Sequence, residues 1–469
     1  SHRCASRWSP PEMRKLTRCL LALSTLLAGV AAIAATTDPW TSVPEILSRI
    51  VPPRFPGRDF VITNFGAHDG EDASAAIAKA IDACARAGGG HVIVPKGDYM
   101  TGPIRLQSHV DLHIDAGATL RFSQDPSRYP IALTRWEGVE LMNYAPLISA
   151  LDCEDVAISG EGTLDGQADE THWWNWKAEK EPRLQSADRN ALFKQGDDGV
   201  PVAQRVYGAG HYLRPTFVEP YRCRNILIEG VTIRNAPFWV LHPTLCTNVT
   251  IRRVTVTGHG PNMDGCDPES CRDVLIEDCI FDTGDDCIAL KSGRNADGRR
   301  INVPIENVVI RGCRMIAGHG GITVGSEVSG GARNIFAEKN RLDSPDLERG
   351  LRVKTNSARG GTVENIFARD IEIGTVKIAP IEIDLRYMSE SGAFPPTVRN
   401  IVVERMHSMH SQYGLLIIGL EHEPLRGVVV RDSTFRGVTN GHVIEGIVDL
   451  TLTDVTVETA PPKSEKRKP

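Results

Sequence analysis

Residues 224–228 read RNILI, and the same short phrase returns at 247–251 as TNVTI. Each phrase places a polar residue and a turn residue before aliphatic side chains, a pattern of alternation and β-branching that is typical of strands. Further copies follow at spacings of 23 to 35 residues. They start near Asp273, Asn307, Asn334, Asn365, Asn400 and Gly427, and an earlier one starts near Asp155. A repeat of this length predicts a solenoid rather than separate domains.

A second inward-facing position follows three residues after most phrases, which indicates a polar bend and a second strand. These positions are Val231, Val254, Cys279, Cys313, Ile371 and Met406. No amphipathic helix of ten or more residues is predicted between the phrases, so βαβ units with helical crossovers are excluded. The signatures of leucine-rich repeats and of propellers are absent. The predicted fold is therefore all-β: a single-stranded, right-handed parallel β-helix, in which the asparagines occupy left-handed turns and can stack as a ladder.

The N-terminal part of the chain has a different pattern. Residues 73–87 carry apolar side chains at helical spacing, with Asp72 as a candidate N-cap and glycines at 88–90 as a stop. A short helix before a solenoid is expected to cap its open end. The predicted organisation is a leader at 1–35, a linker at 36–58, the β-helix at 59–459 and a disordered tail at 460–469. Residues 168–215 interrupt the repeat and are predicted to form a long surface excursion.

The first 35 residues are expected to be an export signal. Arg14, Lys15 and Arg18 form a basic head, an uncharged run covers residues 19–35, and residues 32–34 offer a small-x-small cleavage pattern. The run is short and polar residues follow it, so stable membrane insertion after cleavage is not expected. The predicted location is outside the cell or in the periplasm.

Composition limits the possible functions of the chain and the disulfides or metal sites that could stabilise it. The 469 residues carry a net charge of −6, which argues against a nucleic-acid partner. Nine cysteines remain after the leader, an odd number, and their spacing lacks paired C-x-x-C units, so a zinc site is not expected. One or two disulfides are compatible with an exported protein. The chain is long enough to bury a core that folds without a disulfide or a structural metal.

Polar clusters interrupt four consecutive coils at matching places. They contain Asn262 and Asp264 in the first, Asp285 and Asp286 in the second, His319 in the third, and Arg352 and Lys354 in the fourth. Equivalent points on neighbouring coils of a solenoid lie about 4.8 Å apart, so the clusters are expected to converge on one patch. Three carboxylates at such close range are costly unless chemistry uses them or cations neutralise them.

Glycoside hydrolysis is a reaction that uses such a patch. One carboxylic acid donates a proton to the leaving oxygen, and an ionised carboxylate activates water or attacks the sugar. Crowding of negative charge keeps a proton on one member of the group. Arg352 and Lys354 suit an acidic sugar, because both bind carboxylates.

The four clusters resemble the motifs of glycoside hydrolase family 28, the polygalacturonases. That family carries Asn-Thr-Asp, Gly-Asp-Asp, Gly-His-Gly and Arg-Ile-Lys in this order. This chain has NMD at 262–264, GDD at 284–286, GHG at 318–320 and RVK at 352–354. The resemblance covers roughly residues 60–455. It departs from the family at Met263 and Val353, and neither change removes an ionisable group.

The resemblance implies a role for each site residue. Asp285 is expected to be the general acid, and Asp264 and Asp286 are expected to activate the water, with inversion at the anomeric carbon. His319 is expected to hold the protonation state of the acid or to contact the sugar. The implied substrate-binding residues are Arg352, Lys354 and Tyr387. Asn262, the first residue of its motif, is predicted to bind substrate as well. His242 is added because it precedes Asp264 by one coil, where it is expected to line the sugar groove with Trp239. No metal or organic cofactor is implied, and the partner is an acidic polysaccharide, pectin.

Three other functions stay open at this level. A hydrolase of rhamnogalacturonan or another decorated pectin would use the same carboxylates. A pectate lyase uses the same kind of fold but needs Ca²⁺ and an arginine base. A non-catalytic β-helix adhesin would not need the four motifs in register. For polygalacturonase-type hydrolysis, the excursion at 168–215 favours exo action, because it can close one end of the substrate groove.

Overall fold

The computed structural model describes residues 38–177 and 184–460. The predicted leader at 1–35 and residues 461–469 of the predicted tail lie outside the described residues, whereas Ala460 donates its backbone N–H to the carbonyl of Val438. The chain divides into two compact units, Ser1–Thr41 and Ser42–Pro469. The described part of the first unit is the beginning of a 3-10 turn, Pro39–Ser42. No helix among the described residues is long and apolar enough to span a membrane.

Four α-helices and six short 3-10 turns accompany the strands of the described chain. The helices are α1 (Val43–Arg49), α2 (Ser74–Arg86), α3 (Leu184–Asp197) and α4 (Asn295–Ile301). The 3-10 turns are Pro39–Ser42, Ile62–Phe65, Pro126–Arg128, Trp174–Lys177, Val202–Gln204 and Tyr387–Ser389.

The strands carry most of the ordered chain. In chain order they are β1 (Asp59–Val61), β2 (Gly90–Val94), β3 (Gly97–Thr101), β4 (Ile104–Arg105), β5 (Val110–Ile114), β6 (Ala118–Phe122), β7 (Ile131–Trp136), β8 (Val139–Tyr144), β9 (Ile148–Leu151), β10 (Glu154–Gly160), β11 (Thr163–Asp165), β12 (Val218–Tyr221), β13 (Arg224–Glu229), β14 (Thr232–Arg234), β15 (Thr247–Arg252), β16 (Thr255–Gly258), β17 (Arg272–Glu277), β18 (Ile280–Thr283), β19 (Ile288–Leu290), β20 (Ile305–Arg311), β21 (Arg314–Ala317), β22 (Ile322–Gly325), β23 (Ala332–Glu338), β24 (Arg341–Leu342), β25 (Arg349–Lys354), β26 (Thr362–Thr375), β27 (Ala379–Asp384), β28 (Thr397–His410), β29 (Leu415–Ile418), β30 (Leu425–Val438), β31 (Val443–Glu445) and β32 (Ile447–Thr459).

The strands stack as a right-handed parallel β-helix, which confirms the predicted fold class. Every strand pairing in the described chain is parallel except the hairpin of β7 and β8. The repeated phrases form one column, for example β13, β15, β17 and β20, and the strands after the bend form a second. A further face is built from β19, β22, β25, β27, β29 and β31. The aliphatic residues of all faces point inward and form one continuous core.

The predicted asparagine ladder runs along the first column. Nδ2 of Asn334 donates to Oδ1 of Asn307 at 3.1 Å, and Asn365 donates in the same way to Asn334 at 3.1 Å. Asn400 continues the ladder onto Asn365 at 2.7 Å, and each of these residues has a positive φ near 57°. Side chains in this conformation are strained unless they are Gly, Asn or Asp, which explains the residue that opens each phrase.

Helix α2 begins one residue later than predicted and lies against β1 and β2 at the N-terminal end of the coil. Asp72 accepts a hydrogen bond from the backbone N–H of Ser74 at 2.9 Å. The N-cap itself is Ala73, which has no side-chain capping bond, so the prediction of Asp72 as N-cap was one residue too early. The glycines at 88–90, all with positive φ, end the helix.

The interpretation of residues 36–58 as a linker was wrong for its helical part. Helix α1 buries Val43 and Ile46, and its C-cap Ile50 is buried on the same apolar face, so that the three recur at i, i+3 and i+7. The helix packs against β17 and β20, and Arg49 pairs with Asp273 at 2.9 Å. Burial of this stripe holds the segment on the outside of the coil.

The segment between β11 and β12, which includes residues 168–215, contains regular structure of its own. Its described part contains α3, a 14-residue helix that was not predicted from the sequence, because its apolar residues do not recur at a helical spacing. Leu192 and Leu213 are buried in a second core with Trp136 and Phe238. Trp173 is buried as well, so it anchors the segment.

The cysteines are interior residues of the coil. All nine cysteines in the described ranges are free, and eight of them are buried. Four form a column on successive coils, in which the backbone N–H of Cys223 donates to the sulfur of Cys246 at 3.4 Å and Cys246 donates likewise to Cys271. The disulfides that an exported protein allows are not formed between them, because they serve as small apolar side chains.

Candidate active site

The first three polar clusters lie in turns between the end of a second-column strand and the start of the third face, as in the turns that precede β19 and β22. Arg352 and Lys354 of the fourth cluster lie in β25, on the third face itself. Cys266 pairs with Ile288, and Ile288 pairs with Ile322, so positions two residues earlier are also in register. Those positions are Asp264 and Asp286. Stacking thus brings together carboxylates that are 22 residues apart in the chain.

Three carboxylates converge as predicted. One oxygen of each of Asp264, Asp285 and Asp286 lies within 4.8 Å of the others. Their exposure differs: the side chain of Asp286 is fully buried, that of Asp264 is 4% exposed and that of Asp285 is 14% exposed. Asp285 is therefore the member that a large ligand reaches most easily.

Two buried cations neutralise Asp286. Nζ of Lys354 lies 2.6 Å from Oδ2 of Asp286, and Nη1 of Arg352 lies 3.4 Å from Oδ1. Arg352 also donates through Nε to Glu382 at 2.9 Å. Burial raises the pKa of Asp286, but Lys354 and then Arg352 offset this effect, so its pKa lies below the usual range. Asp286 is therefore an ionised carboxylate.

Lys291 is the cation that lies beside Asp264. Its ammonium lies 3.8 Å from Asp264, 3.5 Å from Asp267 and 3.2 Å from Glu327. It also lies 4.3 Å from the ring centre of Trp239, a cation–π contact. Burial, followed by the charges of Asp267 and Asp285, raises the pKa of Asp264 well above its usual range.

His319 is bound to Asp285. Nδ1 of the imidazole lies 2.9 Å from Oδ1 of Asp285. This hydrogen bond raises the pKa of His319 above its ordinary value. Burial raises the pKa of Asp285, but the hydrogen bond and charge of His319, and then Lys354 and Lys177, leave it below the usual range. Asp285 and His319 therefore share one proton as a pair.

The glycines around His319 allow this approach. A side chain at Gly320 would place its Cβ 2.3 Å from Oγ1 of Thr323 and 2.8 Å from Oδ1 of Asp286. Gly318 has a φ of 146°, which other residues rarely adopt. The Gly-His-Gly sequence thus brings backbone and imidazole against two carboxylates.

The residues enclose a cavity of about 380 Å³. Six predicted site residues line it: Asp264, Asp285, His319, Lys354, Tyr387 and Asn262. Asp286 and Arg352 lie one layer behind this lining, as counter-charges to each other. The cavity falls in the size range of ligand sites and has an unusually charged wall.

The prediction that His242 contacts substrate was wrong. Its side chain is fully buried, with Nε2 2.8 Å from Glu269 and Nδ1 3.7 Å from Glu219. The ring lies edge-on to Trp239, at 5.0 Å between centres. His242 faces inward because a buried acidic pair behind the groove needs a partner, which a single sequence does not reveal. Trp239 itself lines the cavity.

Several cavity residues were missed because they come from outside the motifs. The excursion supplies Lys177, Gln185, Ser186 and Arg189, and the turn between β7 and β8 supplies Glu137. Lys291, Arg294, Ser326 and Glu327 come from the neighbouring coils, and Met388 follows Tyr387. Lys291 could have been predicted from the sequence, because a lysine directly after the buried strand β19 is expected to be buried beside acidic partners.

Three carboxylates this close are also a geometry that binds cations. Here Lys354 and Arg352 already balance Asp286, and Lys291 stands beside Asp264. The donor set therefore gives no reason to add a metal ion, and the prediction that no metal is required stays a prediction.

Comparison with known proteins identifies similar chains. A sequence model of glycosyl hydrolases family 28 matches residues 208–441. A probable polygalacturonase from Vitis vinifera is 30% identical over 364 residues, which cover 74% of this chain and 67% of the relative. An exo-poly-alpha-D-galacturonosidase from Dickeya chrysanthemi is 27% identical over 386 residues, covering 77% of this chain and 60% of the relative.

The structural comparison agrees. The crystal structure of an exopolygalacturonase from Thermotoga maritima superposes with a TM-score of 0.86 and 44% identity, covering 90% of this chain and 96% of that one. A family 28 exopolygalacturonase from Yersinia enterocolitica gives a TM-score of 0.66 at 20% identity, covering 87% and 79% of the two chains. The second likeness concerns the fold alone.

Proposed function

The chain belongs to glycoside hydrolase family 28, and we propose that it hydrolyses α-1,4-galacturonosyl bonds of the galacturonan in pectin. The observation that carries the proposal is the convergence of Asp264, Asp285 and Asp286 beside His319 and Lys354 in one cavity. Two carboxylates and one retained proton are what glycoside hydrolysis requires. The cationic wall suits a sugar that carries its own carboxylate.

Asp285 is the proposed proton donor, acting with His319. It is the most exposed of the three carboxyls and so the best placed to meet a glycosidic oxygen. The hydrogen bond and charge of His319, and then the charges of Lys354 and Lys177, keep the pKa of Asp285 low. A bound galacturonate carboxylate would offset those charges and disfavour ionisation of Asp285. Substrate binding thereby favours the form in which the proton shared between Asp285 and His319 lies on Asp285.

Asp264 and Asp286 are the proposed pair that orients and deprotonates water. Inverting enzymes usually separate their two carboxyl groups by about 6.5 to 9.5 Å. Here the closest oxygens of the three lie within 4.8 Å, so separation does not argue for inversion. The proposed inversion rests on family resemblance, and NMR of the first-formed anomer tests it.

Exo action is the proposed mode. Residues of α3 and of the turn before it form one wall of the cavity, as an end-blocking excursion would. The Thermotoga structure, at 44% identity, and the Dickeya enzyme, at 27%, both carry exo-acting names. The excursion is held in place by Arg189, which pairs with Glu137 at 2.8 Å.

Product analysis on polygalacturonate in the presence of EDTA tests the proposal. New reducing ends without absorbance near 235 nm support a hydrolase, and release of single galacturonates from the start supports exo action. New absorbance would mean elimination, and a mixture of long products would mean endo action. If neither signal appears, rhamnogalacturonan is the next substrate, because a decorated pectin can use the same carboxylates.

Export of the enzyme is proposed as well. Pectin is an extracellular polymer, and residues 1–35 carry the predicted leader pattern. N-terminal sequencing of protein recovered from medium and from periplasm tests both cleavage and location.

A further inference from the structure

Asp267 is a buried carboxyl behind the cavity for which the mechanism above has no use. It follows Asp264 by three residues, and its side chain is fully buried. Neither of its oxygens meets a hydrogen-bond donor among the described residues, and the same holds for Oδ1 of Asp264. Buried polar atoms without partners are rare, so this pair requires an explanation.

The cations near Asp267 are too few for it to be ionised. Lys291, at 3.5 Å, is its one ion-pair partner within the described chain, and that ammonium also lies near Asp264 and Glu327. Glu327 has additional partners in Arg294 and Ser326, but Asp264 and Asp267 share what remains. One ammonium does not balance two buried carboxylates, and an unpaired charge at zero exposure is very costly.

A single proton on Asp267 accounts for both the unpartnered carboxyl oxygens and the excess of buried negative charge. If Asp267 is neutral, the charges match, and its hydroxyl supplies the donor that Asp264 lacks. The two carboxyls are neighbours, because Nζ of Lys291 lies 3.8 Å from an oxygen of Asp264 and 3.5 Å from an oxygen of Asp267. We propose that Asp267 is a positioning residue that stays protonated and donates a hydrogen bond to the ionised carboxylate of Asp264.

This inference rests on the proposed function, in which Asp264 accepts the proton of the attacking water. Asp267 keeps its own proton throughout, so no net transfer occurs between the two acids. Its hydrogen bond stabilises the ionised form of Asp264 and aims one of the two oxygens, leaving the other for water. A carboxylic acid retained in its neutral form to donate a hydrogen bond is a known device in enzyme sites.

The electrostatic surroundings agree with a retained proton. Burial raises the pKa of Asp267 well above the usual range, and the charges of Asp286 and Asp285 add to the rise. Lys291 and the contact with Asp264 act in the opposite direction and do not cancel it. The pKa of Asp264 is raised as well, so the pair holds one proton at neutral pH. That proton belongs on Asp267, since Asp264 faces the cavity.

Two substitutions of Asp267 distinguish a role as hydrogen-bond donor from a role as negative charge. Asp267→Asn keeps a donor towards Asp264, whereas Asp267→Leu has a similar shape and no donor. We expect Asp267→Asn to keep the acidic limb of the kcat/KM profile in place. We expect Asp267→Leu to move that limb up by about one to two pH units, the worth of one hydrogen bond to a charged group. The KM should change less than about twofold in both, because Asp267 does not touch the sugar.

Either of two kinetic results would overturn the proposal. If the Leu variant keeps its acidic limb, Asp267 does not act on Asp264. If Asn and Leu are equally impaired, the charge of Asp267 matters and not its proton. Asp111→Asn is the matched control, since Asp111 is a buried acid bonded to His91 and Ser159 far from the cavity in sequence and coil position.

An infrared readout does not depend on activity. The resting wild type should show the carbonyl band of a buried neutral carboxylic acid at neutral pH. That band should vanish in Asp267→Asn and persist in Asp111→Asn. Its absence from the wild type would also refute the proposal. If the wild type shows the band but hydrolyses no galacturonan, the proposed function fails and the protonated acid stands.

Discussion

Asp285 is the residue whose replacement separates chemistry from folding most cleanly. It is the most exposed of the three clustered carboxyls, and its side chain is bonded to His319 rather than to the core. We expect Asp285→Asn to lower kcat by about 10² to 10⁴-fold, the usual contribution of a general acid, because an amide cannot donate a proton to the leaving oxygen. Rates on polygalacturonate measure the loss, and thermal melting should shift little.

The matched control is Asp282→Asn, three residues earlier. Asp282 is half-buried on the outer face and pairs with His259 at 2.7 Å. This variant should keep nearly the full rate. A near-normal rate for Asp285→Asn would show that Asp285 is not the acid.

The pH profile tests how substrate changes Asp285. In the free enzyme, burial is outweighed by His319, Lys354 and Lys177, so the pKa of Asp285 is low. A substrate carboxylate beside Lys354 raises that pKa, and the acid then keeps its proton to higher pH. Since kcat/KM reports the free enzyme and kcat the complex, the alkaline limb of kcat should lie at higher pH. Initial rates on trigalacturonate across pH decide this, and coincident limbs would contradict it.

At the scale of elements, the asparagine ladder makes a prediction about stability. Asn334 accepts from Asn365, donates to Asn307 and has a φ of 56°. Asn334→Ala loses two hydrogen bonds and adds left-handed strain, together about 2 to 4 kcal/mol. Asn334→Gly loses the hydrogen bonds without the strain, so its urea midpoint should fall less. Equal midpoints for the two variants would mean that the turn conformation contributes nothing.

Helices α1 and α3 show where local patterns were insufficient. The stripe of Val43, Ile46 and Ile50 was present in the sequence, but seven residues are too few to distinguish a docked helix from a linker. Helix α3 has no apolar stripe of its own and is held by contacts such as Arg189 with Glu137 and Leu192 in the second core. Tertiary contacts, not propensity, decide both elements.

At the scale of the whole molecule, the coil is held by stacking without covalent staples in the described residues. The nine cysteines there are free, and most form part of the interior. We expect the melting temperature to be unchanged by a reducing agent such as dithiothreitol. A drop of several degrees would reveal a disulfide, and labelling of free thiols in the unfolded protein would then count the paired cysteines.

The site was predictable to the extent that it follows the repeat. Asp264 and Asp286 are two residues before stacked positions, and so the period of the coil brings them together. His242 follows Leu241, which pairs with Cys266 on the next coil, yet it points inward, because Glu219 and Glu269 lie behind it. Which face a side chain takes depends on partners from other coils, and no local pattern specifies them.

The sequence by itself determined the solenoid, its asparagine ladder and the convergence of the four motifs. These features repeat or stack, so that one coil predicts the next. The tertiary structure alone decided which groups close the cavity and which proton each acid holds. Lys177 and Arg189 arrive from a segment without the repeat, and the raised pKa of Asp264 arises from burial beside Asp267. Burial and charge are sums over neighbours from distant parts of the chain, and they exist only once the chain is folded.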